Sequence, residues 1–346
     1  MLEVRGPQVL REKLLSICIL TYNRVATLEE TLASILPQVE NDRRLEVVVC
    51  DNASTDGTQA FALAYARLHP SVRYHRNPNN KGFDGNVVTC VEQAQGEYVG
   101  FFSDDDIALP GTFERILHEI ESRRPAIVYL NHYPFRDNNA RRGLRWKMPK
   151  EDLMFDSGKA FFLFAGLGFI SALTVKTEYA RGYLGDAKFG PGQAHLDIAS
   201  RICLFHSGPF VFVGTKAIAA RIPATARWDW LVGCGIAESE FYHGLETDGV
   251  LDAPTVRHRV SGSIRHNILG LVVFKKCLGD HRELATQKDL LVSVYGRYTS
   301  FWLLVYPILL APRPLLRPPY LILRALLHTY RKLRYGMRDV ETYQQP

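Results

Sequence analysis

Residues 14–131 alternate short unbroken apolar runs with stretches whose apolar residues recur at helical spacing, and few folds accept that order. Strands are expected over 14–20, 45–50, 72–75, 98–102 and 126–131, and helices over 27–36, 58–68, 86–95 and 110–122. Runs that are apolar at every position suit strands buried on both faces, the condition of a parallel sheet flanked by helices. Parallel neighbours need crossovers long enough to hold a helix, and the spacing supplies them. The fold class implied is α/β: a Rossmann-like, doubly wound, mostly parallel sheet. Such sheets take ligands at the carboxyl ends of their strands, where the strand order reverses.

Acids sit at two of those ends. Asp51 closes Val47-Val48-Val49-Cys50, and Asp104, Asp105 and Asp106 follow Phe101-Phe102-Ser103. Three adjacent carboxylates in one turn repel one another, so a cation is expected to balance them. A divalent ion carrying a diphosphate suits the pattern, because hard cations take oxygen ligands and complete their shell with phosphate. The alternative is an acidic helix start, since aspartate also favours caps and first turns. The strand end Leu20-Thr21-Tyr22-Asn23-Arg24 either presents its polar groups to a ligand or is a loop capped by Thr21 or Asn23. Asp51 is suited to accept from a base N–H or a ribose hydroxyl, whereas Asp56 reads as a helix cap.

The net charge of +6 is unevenly placed. Arg313, Arg317, Arg324, Arg331, Lys332, Arg334 and Arg338 fall in a stretch without a single acid. The excess belongs to this tail, so no nucleic-acid partner is expected. The six cysteines are scattered, with no CxxC and no Cys/His cluster, which fits a reducing compartment. Residues 1–13 contain no signal-peptide core, and a cytoplasmic protein is expected.

Taken together, Thr21-Tyr22-Asn23-Arg24, the block from Asp51 to Thr58, Asn77-Pro78-Asn79-Asn80-Lys81-Gly82, and Ser103 to Asp106 before Pro110 resemble glycosyltransferase family 2, of GT-A fold. The resemblance covers about residues 14–130. It implies a nucleotide-sugar donor, inverting transfer and a divalent metal, Mn2+ or Mg2+. Carried over, Thr21, Tyr22 and Arg24 line the nucleotide crevice, Asp51 reads the base and Ser54 sits nearby. Lys81 and Gly82 lie close to the ribose or diphosphate. The acidic run departs from the commonest family form, with Ser103 where the first acid usually stands. By that register Asp104 faces the ribose or sugar, Asp105 is the metal ligand and Asp106 stands beside it. A shift of one residue would exchange these roles.

An inverting displacement needs one base within reach of the attacking hydroxyl and no covalent intermediate. In this family the base comes from an acidic motif at the start of a helix in the acceptor half, often with an arginine a few residues on. The matching stretch here is Gly192-Gln193-Ala194-His195-Leu196-Asp197-Ile198-Ala199-Ser200-Arg201, and Ala194-His195 stands where the usual Glu-Asp pair would. Asp197 is the first candidate for base, and His195 the second, as base or acceptor contact. The structural alternative pairs Asp197 with Arg201 or makes it a helix cap.

Beyond Asn131 the alternation stops. Residues 132–156 read as a long polar loop, 157–165 and 195–205 as helices, 169–175 as extended, 209–213 as a short strand and 256–306 as mainly helical. The expected division is a GT-A catalytic domain over 1–255, with a nucleotide-sugar half (14–131) and an acceptor half (132–255), and a helical appendage over 256–346. Trp228, Trp230, Tyr242 and His243 offer faces for sugar stacking, but such residues are more often core.

The apolar stretch 301–311 is shorter than the roughly 20 residues that cross a bilayer, and prolines interrupt the chain just beyond it. Over 320–335 leucines accompany arginines that recur every seven residues from Arg317 to Arg338. The pattern suits a helix lying on an anionic membrane surface, or else one packed on the domain or on a second subunit. The expectation is thus a cytoplasmic enzyme, peripheral on the inner face of the cell membrane. Its acceptor would be a glycan, plausible as a lipid-linked precursor of surface polysaccharide. The later half bears a faint similarity to abequosyl-type transferases. The rival readings are a polyprenyl-phosphate sugar transferase and a catalytically silent nucleotide-sugar-binding scaffold.

Overall fold

The computed structural model describes residues 13–135, 148–185, 192–222, 231–279 and 281–335. The chain divides into two compact units, 1–223 and 224–346, where the sequence pattern draws the boundary at 255.

The first unit opens with β1 (Leu15–Thr21), α1 (Val25–Val39), β2 (Leu45–Asp51), α2 (Thr58–Leu68), β3 (Val72–Arg76), α3 (Gly82–Gln93) and β4 (Tyr98–Ser103). It continues with β5 (Ile107–Ala108), α4 (Thr112–Arg123), β6 (Ile127–Phe135), β7 (Leu153–Phe155), α5 (Gly158–Ala165), β8 (Leu173–Lys176), α6 (Thr177–Gly182), α7 (Ala194–Phe205) and β9 (Phe210–Arg221). The sheet runs β3-β2-β1-β4-β8-β6-β9-β5, with β7 paired to β9. β1, β2 and β4 are buried along almost their whole length, including Ser16 and Glu46, which bond to each other inside the sheet, Glu46 also pairing with Arg73. β2 and β4 flank β1 in parallel, so Thr21 stands opposite Asp51 and Leu20 opposite Ser103. The order reverses at β1, because the chain first builds outward through β2 and β3 and then returns to lay β4 on the other side.

Two expectations are corrected by the strands. Residues 132–135 continue β6, and the last strand is twelve residues long where only 209–213 was expected. The cause is a register shift around Asn131, whose amide donates to the carbonyls of Gly214 (2.6 Å) and Pro149 (3.0 Å). A polar residue that sustains a bulge looks like a strand terminus in sequence. Residues 136–147 of the expected loop lie outside the described residues.

The second unit contains α8 (Ala237–Thr247), α9 (Ala253–Ser263), α10 (Leu269–Cys277), α11 (His281–Thr286), α12 (Lys288–Tyr295), α13 (Tyr306–Leu310) and α14 (Arg313–Tyr335). Val256, Val260, Ile264, Ile268 and Val272 are fully buried at four-residue spacing, a continuous helical stripe. Tyr242 is buried beneath the Arg259 guanidinium, and the His243 ring lies 2.7 Å from the Tyr298 hydroxyl, so both serve packing. Trp228 and Trp230 lie outside the described residues. α14 runs through Pro318 and Pro319, earlier than the expected start at 320. Each proline forfeits one backbone bond, which an exposed face tolerates because water can reach the freed carbonyls.

Candidate active site

The β2 end is a turn built around Asp51. Its Oδ1 accepts from the Ser54 amide (2.8 Å) and its Oδ2 from the Tyr74 hydroxyl (2.6 Å), with Arg76 at 3.8 Å. Burial and the adjacent Asp51 carboxylate push the Tyr74 phenol upward, so it stays a donor. Ser54 Oγ accepts from the Asn23 amide (2.9 Å), and Asn23 Oδ1 accepts from the Thr55 amide (2.7 Å). These bonds lash the β1 and β2 tips together and hold Asn23 and Ala53 in the left-handed region, at φ 54° and 65°. Asp56 accepts from the Thr58 amide at 2.9 Å, but the N-cap of α2 is Gly57, so Asp56 sits one position ahead of its expected place as the cap.

Asn52 organises the next segment. Its carbonyl oxygen accepts from Asn77 Nδ2 (3.1 Å) and the Lys81 amide (2.9 Å), and its amide donates to Asn80 Oδ1 (2.8 Å) and the Gly82 carbonyl (2.9 Å). Lys81 and Gly82 are thereby positioned at the start of α3, with Gly82 at φ +71°.

The acidic run leaves β4 two strand spacings from Asp51, about 10 Å away. Its three carboxylates have different surroundings. Asp106 is buried, with Oδ2 accepting from Ser171 (2.5 Å) and Oδ1 from the Arg221 amide (2.9 Å). Asp105 accepts from Ser103 Oγ (2.6 Å) and from Arg24 Nη1 (2.7 Å). Asp104 is 3% exposed; Arg24 Nη1 reaches its Oδ1 at 3.2 Å, while among the described residues its buried Oδ2 has no partner. Burial pushes Asp104 up to about 7, with Arg24 opposing the rise and Asp105 adding to it. The Thr21 hydroxyl and Tyr22 amide also pull it down, yet neither reaches Oδ2 at hydrogen-bond geometry, and the Thr21 hydroxyl is itself buried and unpartnered.

Among the described residues, Asp104 Oδ2 and the Thr21 hydroxyl are thus buried at adjoining strand tips without a hydrogen-bond partner, which is uncommon for buried polar atoms. Among the described residues no three His, Cys, Asp or Glu side chains converge as a self-sufficient metal cage. Two carboxylates with an orphaned oxygen do fit a hard divalent ion whose other ligands are phosphate oxygens and water. Asp106 fits less well, because the Arg221 backbone amide and the buried Ser171 hydroxyl hold its two oxygens, whereas the partner of Asp105 Oδ2 is the half-exposed Arg24 side chain.

The start of α7 is tied to the acidic turn through residues 166–172. Ser171 Oγ accepts from the Ser103 amide (2.9 Å) as it donates to Asp106, and the Gly168 carbonyl lies 3.0 Å from His195 Nε2. A carbonyl only accepts, so Nε2 carries the hydrogen and Nδ1 keeps a lone pair. Among the described residues that Nδ1 is buried without a partner, and burial lowers the ring's pKa, which favours the neutral form. Asp197 differs: both its oxygens lie 3.0–3.1 Å from Arg201 Nε, the structural alternative of the sequence reading. The α7 start is capped from α3, by Asp84 accepting from the Gly192 (2.7 Å) and Ala194 (2.8 Å) amides.

The structure thus gathers Thr21, Arg24, Asp51, Ser54, Asp104, Asp105 and Asp106 at three adjacent strand ends, with half-exposed Tyr22 beside them and Lys81 and Gly82 across the Asn52 bridge. Sequence reading missed Asn52, Tyr74, Asp84, Ser171 and Arg221. The asparagine-rich run 77–80 hinted at the Asn52 network. The others act across 23 to 115 residues and leave no local signal.

Residues 16–173 match the family model described as glycosyl transferase family 2. Abequosyltransferase RfbV of Salmonella typhimurium is 40% identical over 94 residues, 27% of this chain and 28% of that protein. The GalNAc(5)-diNAcBac-PP-undecaprenol beta-1,3-glucosyltransferase of Campylobacter jejuni is 33% identical over 106 residues, 30% of this chain and 34% of that protein. The aligned part of the chain therefore spans about a third of the length of these curated relatives. Residues 1–349 of S. aureus TarS, solved in complex with UDP, superpose with a TM-score of 0.59 at 18% identity, covering 94% of both chains. The likeness is one of fold, and the fold is GT-A.

Proposed function

We propose, on the premise that residues 16–173 form a glycosyl transferase family 2 domain, that the protein moves one sugar from a nucleotide-sugar donor to a glycan hydroxyl with inversion. The observation that carries this reading is the placement of Asp51 and the Asp104–Asp105 pair on either side of β1, at the reversal of the sheet. That span suits a nucleoside at one end and its diphosphate at the other.

In this reading Tyr22 stacks on the base, Asp51 accepts from it, and Thr21 and Ser54 hold the turn that frames it. Lys81 and Gly82 lie along the ribose or diphosphate. Asp104 faces the ribose or sugar, and its free oxygen joins Asp105 in holding Mn2+ or Mg2+. Asp106 shapes the turn through Ser171 and Arg221 and leaves ligation to its neighbours. A bound divalent ion supplies neutralisation of the charge that develops on the leaving diphosphate.

The base is His195, ahead of Asp197. Nδ1 takes the acceptor hydroxyl's proton as that oxygen attacks the anomeric carbon from the side opposite the diphosphate. The carbon–oxygen bond to phosphate breaks, its electron pair leaves with the diphosphate, and the imidazolium returns its proton to solvent. Purified protein with Mn2+ and a panel of nucleotide sugars should release a nucleoside diphosphate, and Asp105→Ala should abolish the release. Tight donor binding without turnover, even with glycan acceptors present, would favour a scaffold.

The acceptor in this reading is a lipid-linked glycan precursor, reached from the inner face of the membrane. No helix among the described residues is long and apolar enough to cross a bilayer. The support for surface attachment lies in α14. Arg313, Leu316, Tyr320 and Arg324 form its half-buried side, while Leu315, Ile322, Leu323 and Leu326 are exposed. Leucines turned outward together with Arg317, and no acid from 313 to 338, suit anionic lipid. The protein should sediment with phosphatidylglycerol vesicles and not with phosphatidylcholine ones, and deletion of 312–346 should abolish this. Equal sedimentation of both forms would remove the membrane from the reading.

A further inference from the structure

One nitrogen of Arg24 sits between two carboxylates. Nη1 lies 2.7 Å from Asp105 Oδ2 and 3.2 Å from Asp104 Oδ1. Arginine meeting a lone carboxylate commonly presents two nitrogens in a fork. Here a single nitrogen bridges two acids, as a small cation would. A divalent ion needs oxygens at about 2.0–2.2 Å from both, and it cannot share that gap with a guanidinium of like charge. Arg24 is also free to leave. Its side chain is 48% exposed, and the two carboxylates are the side-chain partners that hold it. Among the described residues, Asp104 Oδ2 is buried without a hydrogen-bond partner beside it.

We propose that Arg24 is an exchangeable counter-ion: it holds the cation position of the acidic turn until the metal and donor arrive, and then moves to the donor's diphosphate. The inference rests on the metal-dependent transferase reading above and deepens it. A planar, permanently charged fork suits phosphate oxygens, and the displaced side chain starts at the strand tip beside which the diphosphate would lie. The ion alone binds weakly, because it must evict a cation. With a nucleoside diphosphate present it binds far more tightly, because the diphosphate both ligates the ion and draws Arg24 away. Metal and donor are thus coupled through one side chain.

Free Mn2+ measured by electron paramagnetic resonance during titration of the full chain, without nucleotide, tests this directly. Arg24→Met should bind Mn2+ at least about tenfold more tightly than wild type, which is about 1.4 kcal/mol. Arg24→Gln, which keeps hydrogen-bond donors without the charge, should behave alike and guards against misfolding of the first variant. Mn2+ should also raise the melting temperature of both variants more than that of wild type. If wild type binds Mn2+ and the variants bind it equally or more weakly, Arg24 is no competitor and the exchange is refuted, while the transferase reading stands. If neither wild type nor variants bind Mn2+, and donor turnover persists in Asp105→Ala, the exchange and the metal-dependent reading fail together.

Discussion

Asp84→Ala is expected to damage the site through a residue that takes no part in its proposed chemistry. Asp84 lies in the first turn of α3, and its two oxygens receive the Gly192 and Ala194 amides at 2.7 and 2.8 Å. The residue at the α7 N-cap, Gln193, offers no side-chain bond of its own. The carboxylate therefore satisfies two orphaned N–H groups and faces the positive end of the α7 dipole. A hydrogen bond to a charged group contributes about 1.5–3 kcal/mol; Asp84 is only half buried, so about 1 kcal/mol for each bond is a fairer figure. Adding about 0.5 kcal/mol from the dipole gives roughly 2–3 kcal/mol. For a unit of this size that corresponds to a fall in Tm of about 5–10 °C. Asp84→Asn retains one acceptor oxygen and should lose about half as much. Because His195 follows Ala194 directly, kcat should also fall at least about tenfold while donor KM changes little. Calorimetry and steady-state kinetics on the two variants provide the test. An Asp84→Ala protein that melts within about 1 °C of wild type, with unchanged kcat, would show that α7 needs no cap from α3.

His195→Gln should keep donor affinity and lower transfer by about 10²–10⁴-fold, whereas Asp197→Asn should chiefly lower stability by breaking its buried pair with Arg201; titration of donor binding alongside kcat separates them, and the reverse outcome returns the base to Asp197. Burial lowers His132 to about 4, so an unfolded histidine gains its proton near pH 6.5 while the folded one stays neutral. The native state binds fewer protons in that window, and stability present above pH 6.5 should decline by about 3 kcal/mol as pH falls towards 4. Phenylalanine at 132 would preserve the stack on Phe169 (4.1 Å) and flatten this slope; an unchanged slope in chemical denaturation would place the acid sensitivity elsewhere. Gly158→Ala should destabilise by about 3 kcal/mol or more, since a Cβ there would lie 1.9 Å from the Cys203 carbonyl and force α5 from α7; a Tm within about 2 °C of wild type would contradict that packing.

The nucleotide half was legible because its information is local. Unbroken apolar runs can be buried only in a covered parallel sheet, and the acids that end them must then lie on one edge, so Asp51 and Asp104–Asp106 could be placed without coordinates. The acceptor half was less so. A strand carried past Asn131 by a bulge looks like a loop, and the order of Asp197 and His195 could not be judged from spacing alone. Whether a carboxylate is spent on an ion pair depends on the geometry of its helix and on what lies across from it, and Arg201 proves to take both oxygens of Asp197.

Sequence alone therefore determined the parallel core of the sheet and the edge at which Asp51 and Asp104–Asp106 meet, since these follow from the period and polarity of contiguous residues. Tertiary structure decided how those groups are engaged: it tied Asp106 to Ser171 and Arg221, left oxygens of Asp104 and Thr21 and one buried nitrogen of His195 without partners among the described residues, and set Arg24 between two acids. Hydrogen bonds and charges act at about 3–4 Å through space, whatever the distance along the chain, so their partners are fixed only once the fold has brought them together.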